Sequence, residues 1–294
     1  MSSPQADAPR AVIVVSSHVV RGSVGNRAAV FALETLGFPV WAVPTVTLPW
    51  HPGHGRATRI VPPDDQFTAL MKDLERAPWL GEVAGVLSGY LGSAAQAEAV
   101  ASLVQAIKAK NPGATYVCDP VIGDNGGLYV PEALATAMRD RLLPIADIAT
   151  PNRYELEWLC GVKLDDIRAV MAAALDAGPP TMLVTSSPAM MAGGTGNLLL
   201  TPNEALLAEH RIIERPPNGL GDLTGAVFLA RLLSGQRAAK ALQTTTASVF
   251  EILARTAKRG ADELTLETDA ASLSHPMAMV QLRHLTHPGR DRRA

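Results

Sequence analysis

The chain has 294 residues, of which 47% are hydrophobic and 18% charged, and a formal net charge of −2. That composition supports a large globular core, and with no Lys/Arg block it offers a nucleic-acid partner no electrostatic footprint. The first apolar run, AVIVV at 11–15, is too short to span a bilayer or act as a signal segment, so no membrane partner is expected and the cytoplasm is the expected compartment.

Strands and helices alternate along the chain. AVIVVSS (11–17) is a β-branched run suited to a buried parallel strand, and GNRAAVFALETLG (25–37) has helical spacing with a terminal glycine. PVWAVPTVTL (39–48) returns to strand character, PWHPGHG (49–55) forms a loop or flap, and DDQFTALMKDLER (64–76) is a helix with an acidic first turn. Strand, loop and helix then recur over 83–110, over 114–144, and over 146–161. A helix at 164–178 and a strand at 181–187 follow, and 196–214 reads as two strands about a Pro-Asn turn. Helices at 221–234 and 237–258 complete the pattern. Cys118 and Cys160 read as structural thiols of a reducing compartment. No repeat or linker interrupts the order, so one doubly wound α/β domain over 1–294 is expected, with free ends at 1–10 and from about 286.

Ligands of such sheets bind outside the carboxyl ends of the strands. Here these ends read SS (16–17), SGY (88–90), CDPVIGD (118–124), ATPN (149–152) and TSS (185–187). Any one of them is explained by strand ends being wet; five together point to a site.

The stretch GLGD (219–222) leads into an apolar helix. Glycine-flanked N–H groups at a helix start form an anion-binding nest reinforced by the helix dipole, which suits a phosphoryl group in flight. Asp222 has two possible roles, a helix-capping acid or a base accepting a hydroxyl proton, and from the tetrapeptide alone the cap is the commoner. Asp119 and Asp124 supply carboxylates of the kind a Mg²⁺–phosphate site uses, although Asp119 before Pro120 also suits a turn. Asn152 and Glu155 have the spacing of a capping box. The combination fits an ATP–Mg²⁺ site.

Taken in order, SSHVVRGSVGNRAAVFALETLGFPVWAVPTV, LSGYLGS, YVCDPVIGDNGGLYVPEAL, ADIATPNRYELEWLCG, LVTSS and GLGDLTGAVFLARLL resemble the pyridoxal kinases of the ribokinase superfamily, over roughly residues 11–258. The resemblance implies a three-layer α/β/α fold about a mostly parallel sheet, transfer of the ATP γ-phosphoryl group to the 5′-hydroxyl of pyridoxal, pyridoxamine or pyridoxine, and a homodimer. It implies Asp222 as base and Gly219, Leu220 and Gly221 around the anion hole. Ser17, Val24, His51 and Tyr90 are implied at the vitamin. Asp119, Asp124, Tyr129, Thr150, Asn152, Glu155, Thr185 and Ser186 are implied around ATP, with Asp119, Asp124 and Glu155 at Mg²⁺ and a monovalent cation such as K⁺ nearby.

The flap departs from the family pattern: a substrate-contacting threonine is Pro52 here, an aromatic is Leu48, and Trp50 offers a replacement stacking surface. His51 and His54 lack an evident third ligand, so a mobile flap is expected rather than a metal pair. Two rival readings are a kinase for another small alcohol, such as a hydroxymethylpyrimidine, and a non-catalytic vitamer-binding protein.

Overall fold

A parallel sheet covered on both faces needs strands that are apolar throughout, and alternate residues must feed opposite layers. The computed structural model, which describes residues 11–291, meets that demand from its first strand. In β1 (Ala11–Val19), Val12 and Val14 enter one hydrophobic cluster while Ile13 and Val15 enter another. The chain continues through α1 (Asn26–Thr35), β2 (Val40–Leu48), α2 (Asp64–Glu75), β3 (Val83–Ser88), α3 (Ala94–Lys110) and β4 (Thr115–Cys118). A two-residue hairpin, β5 (Gly123–Asp124) and β6 (Gly127–Leu128), precedes α4 (Glu132–Ala137), β7 (Ile148–Ala149), α5 (Arg153–Cys160) and α6 (Ile167–Asp176). Then come β8 (Thr181–Pro188), β9 (Gly194–Leu200), β10 (Ala205–Arg211), α7 (Leu220–Leu233), α8 (Ala238–Arg259), α9 (Ala271–Ser274), β11 (Gln281–Leu285) and α10 (Pro288–Asp291).

Nine strands form one sheet in the order β11-β10-β9-β8-β7-β4-β3-β1-β2, parallel from β2 to β8 and antiparallel from β8 to β11. Helices α1, α7 and α8 cover one face, and α2, α3 and α4 the other. This is the expected α/β/α sandwich. Because β1 lies between β2 and β3, strand order reverses there, and Ser17 and the loop after β3 flank the resulting crevice.

Three features differ from the sequence reading. The helix expected over 131–144 is regular only to Ala137; a wider turn over Met138–Leu142 and a tight one over Leu143–Ile145 finish it, where Pro144 has no N–H to give. Strand β11 is additional, running antiparallel to β10 with Ala205 opposite Leu285. The end expected to be free from about residue 286 is packed at its start: His287 is buried, its Nε2 2.8 Å from the Thr201 carbonyl oxygen. Residues 1–10 and 292–294 lie outside the described residues.

Helix α7 is the element that carries GLGD into the molecule, and it is buried from Leu223 to Arg231. Phe228 has no exposed surface. Phe228→Ala should therefore cost about 3–5 kcal/mol, read as a lowered urea midpoint at unchanged m-value.

Candidate active site

The strand ends open into a cavity of about 990 Å³. All the site residues expected from sequence line it: Ser17, Val24, His51 and Tyr90 toward one end, with Asp119, Asp124, Tyr129, Thr150, Asn152, Glu155, Thr185, Ser186 and the segment Gly219–Asp222 along the rest.

Gly219 caps α7 at φ 95, and a Cβ there would fall 2.1 Å from the Ser23 carbonyl oxygen, so only glycine fits. The first N–H groups of α7 have no intrahelical partners and open onto the cavity with the positive end of the dipole. Asp222 accepts a hydrogen bond from the Gly25 backbone N–H, which holds it against the start of α1. Gly25 also cannot be replaced: at φ 55 its Cβ would meet the Ser17 carbonyl oxygen at 2.3 Å. Asp222 keeps part of its surface open to the cavity while protein encloses it elsewhere, and this burial lifts its carboxyl to about 6 against the opposing hydrogen bonds. Asp119, 5% exposed at the end of β4, is pushed to about 8, first by burial and then by the charge of Asp222. The Thr150 hydroxyl lies beside Asp119 and favours its ionised form, yet among the described residues this buried group completes no hydrogen bond of ordinary geometry.

The loop after β7 is rigid. Asn152 caps α5 by accepting the Glu155 N–H at 2.9 Å and donates to the Gly123 carbonyl oxygen at 2.9 Å. Glu155 is buried, with one oxygen accepting from the Ile122 N–H (3.0 Å) and the other from the Asn152 N–H (2.8 Å). Burial and the Asp119 charge raise its carboxyl well above the usual range. The capping box is therefore real, and it welds the 118–124 loop to α5. Thr185 joins the same loop through its N–H to the Pro151 carbonyl oxygen. Ser186 sits at φ 52 where the β8–β9 register shifts, which turns the strand at the cavity wall.

At the opposite end, Ser17, Val24 and Leu48 form a buried wall. His51 Nδ1 accepts from the Gly53 N–H at 3.1 Å, and burial lowers the ring's pKa. The flap turn Pro52–His54 reaches the α7 loop, since a Cβ on Gly53 would lie 3.2 Å from Asn218 Nδ2. His54 is fastened outside the cavity, Nε2 2.8 Å from Glu263 Oε1, rather than joined with His51 around a metal. Trp50 bonds back to the flap through Nε1 to the Gly55 carbonyl oxygen (3.1 Å) and is not among the cavity-lining residues, so it does not replace the missing aromatic.

One end of the cavity is missing from the sequence reading. His210 and Phe250 stack with ring centroids 4.6 Å apart, and Asn197, Ile212, Ile213, Val249 and Leu253 line the cavity with them. These residues come from β9, β10, the segment just after β10 and α8, and each reads locally as ordinary strand or helix packing.

A pyridoxal kinase PdxY of Rubrobacter xylanophilus is 37% identical over 281 residues, covering 93% of this chain and 97% of that protein. A pyridoxal kinase PdxY of Granulibacter bethesdensis is 40% identical over 263 residues, covering 86% and 92%. The chain belongs to the pyridoxal kinase family. A family model described as phosphomethylpyrimidine kinase also matches residues 64–267. The structure of a Leishmania donovani pyridoxal kinase in complex with ADP and pyridoxamine superposes with a TM-score of 0.88 at 28% identity, covering 94% of this chain and 100% of that one.

Among pyridoxal kinases ATP is the phosphoryl source, and the residues here bear on how a divalent ion would be held. Among the described residues, no three His, Cys, Asp or Glu groups come together as a metal site. The expected trio of Asp119, Asp124 and Glu155 is thus not one ligand set: Glu155 is committed to backbone N–H groups, and Asp124 Oδ1 accepts from the Gly126 N–H at 2.7 Å. Asp119 remains. Mg²⁺ commonly takes one or two carboxylates and fills its shell with phosphate oxygens and water, so a single buried aspartate fits it.

The raised carboxyls set a pH dependence. Between the ordinary 3.8 and about 8 the folded state retains a proton on Asp119 that the unfolded chain has released, so ligand-free stability falls as pH rises through that window. Asp119→Asn should flatten this fall, as read from urea midpoints across the window. An unchanged slope would show that Asp119 titrates normally.

Proposed function

We propose that this chain transfers the γ-phosphoryl group of ATP to the 5′-hydroxyl of pyridoxal, with pyridoxamine and pyridoxine as further substrates, in vitamin B6 salvage. The observation that carries the reading is the placement of Asp222. It sits at the start of α7 beside an open N–H nest and is oriented by Gly25. It lines the same cavity as Ser17, Val24 and Tyr90 and as the stacked His210 and Phe250.

The roles follow from that placement. Ser17 and the apolar wall hold the pyridine ring, with the 5′-hydroxyl at Asp222. A carboxyl near 6 is ionised at neutral pH and basic enough to take the hydroxyl proton as the oxygen attacks phosphorus. The N–H groups of Gly219, Leu220 and Gly221 stabilise the charge on the transferring group. The stacked His210–Phe250 end suits the adenine. Asn152, Thr185 and Ser186 lie along the wall between, where the phosphates would run, and Asp124 and Tyr129 flank it. Mg²⁺ held at Asp119 would neutralise phosphate charge, and the unpartnered Thr150 hydroxyl is an oxygen donor suited to a monovalent cation such as K⁺. We place the activity in the cytoplasm and the assembly as a homodimer; no helix of the described residues is long and apolar enough to cross a membrane.

Asp222→Asn should lower kcat by about 10²–10⁴-fold while leaving ATP affinity nearly unchanged, measured by coupled ADP release and by nucleotide titration. Near-native turnover would remove Asp222 from the mechanism. The family-model match favours a second reading, a kinase for hydroxymethylpyrimidines. Comparing kcat/KM for pyridoxal and hydroxymethylpyrimidine decides it: pyridoxal should be preferred, and equal or better use of the pyrimidine would overturn the first reading.

A further inference from the structure

Arg59 lies where the chain returns from the flap, and its position is fixed from both sides. Next to it, Ile60 exchanges two backbone hydrogen bonds with Thr47 of β2, at 2.8 and 2.9 Å. The side chain lines the cavity, with its guanidinium carbon 5.9 Å from the Tyr90 ring centroid. Nη2 donates to Tyr90 Oη at 3.3 Å and to the Gly92 carbonyl oxygen at 3.5 Å. No carboxylate of the described residues pairs with it, in contrast to Arg21, which pairs with Asp262 at 2.8 Å. Of the five guanidinium donors, those on Nε and Nη1 have no protein acceptor among the described residues.

The loop after β3 sets the spacing between this cation and the base. A Cβ on Gly89 would be in ordinary contact with Asp222, 3.7 Å from Oδ1, while Tyr90 and Gly92, just beyond, hold Arg59. A ring placed against Ser17, Val24 and Leu48 with its alcohol at Asp222 therefore presents another edge to an unneutralised, donor-only group.

We propose that Arg59 is a specificity-determining residue that recognises an ionised hydroxyl on the substrate's heteroaromatic ring. The inference rests on the pyridoxal kinase reading. A ring hydroxyl on a protonated pyridine ionises readily because the ring withdraws electrons, and its oxygen then accepts charge-assisted hydrogen bonds. A pyrimidine bearing an amino group offers N–H donors at a comparable edge, and a guanidinium, having donors only, rejects them.

The test compares pyridoxine with 3-deoxypyridoxine, which lacks the ring hydroxyl, on the unaltered protein and on Arg59→Met and Arg59→Lys. The unaltered enzyme should prefer pyridoxine by roughly ten- to a hundredfold in kcat/KM, mostly through KM. Arg59→Met should collapse that preference toward unity, and Arg59→Lys should keep part of it. Equal use of both compounds by the unaltered enzyme overturns the inference however the variants fold. So does a methionine variant that slows both compounds alike, since Arg59 would then only support Tyr90. Turnover of neither compound by the unaltered enzyme would overturn the pyridoxal kinase reading itself.

Discussion

Asp119 and Asp222 lie in one cleft, and among the described residues no cationic side chain lowers the pKa of either. Burial and the charge of Asp222 leave Asp119 reluctant to ionise, and burial does the same more mildly to Asp222. A cleft of this kind is poorly satisfied by the protein alone. It gains most from a ligand that brings positive charge to Asp119 and a proton donor to Asp222, which is the combination a metal–nucleotide and an alcohol supply together. The electrostatic frustration between these carboxyls thus becomes selectivity for the full set of reactants.

The fold holds that arrangement through close backbone approaches rather than long side chains. Gly25 lets the start of α1 press against Ser17 and donate to Asp222, and Gly219 lets the α7 loop press against Ser23. Ser23 is held in turn by its N–H to Glu263 and its hydroxyl to the Leu264 carbonyl oxygen. Three distant stretches of chain meet within a few ångströms, and two glycines make the meeting possible.

Much of this was legible in the sequence because it is local. The β-branched run at 11–15, the capping box of Asn152 and Glu155, and the glycines before Asp222 each declare their conformation within a few residues. The pairing of His210 with Phe250 was not legible, since the two are brought together only by packing α8 against β10, and neither motif departs from ordinary amphipathic spacing. Strand β11 escaped for a related reason: QLRHL is a half-exposed edge whose only strand signal is its partner. Glu155 carries two expectations. Its spacing announced a capping box and the family resemblance a place at the metal, and the backbone N–H groups of Ile122, Gly123 and Asn152 hold the carboxylate.

The flap is fastened by a different kind of force from the one that governs the cleft. His54 of the flap meets Glu263 at 2.8 Å on the outer side, next to an Arg21–Asp262 pair whose side chains are 54% and 60% exposed. The exposed Arg21–Asp262 pair is weak and is screened by dissolved ions, whereas the enclosed carboxyls feel that screening far less. Dissolved salt should therefore weaken the outer Arg21–Asp262 brace beside the flap while leaving the enclosed carboxyls of the cleft largely untouched.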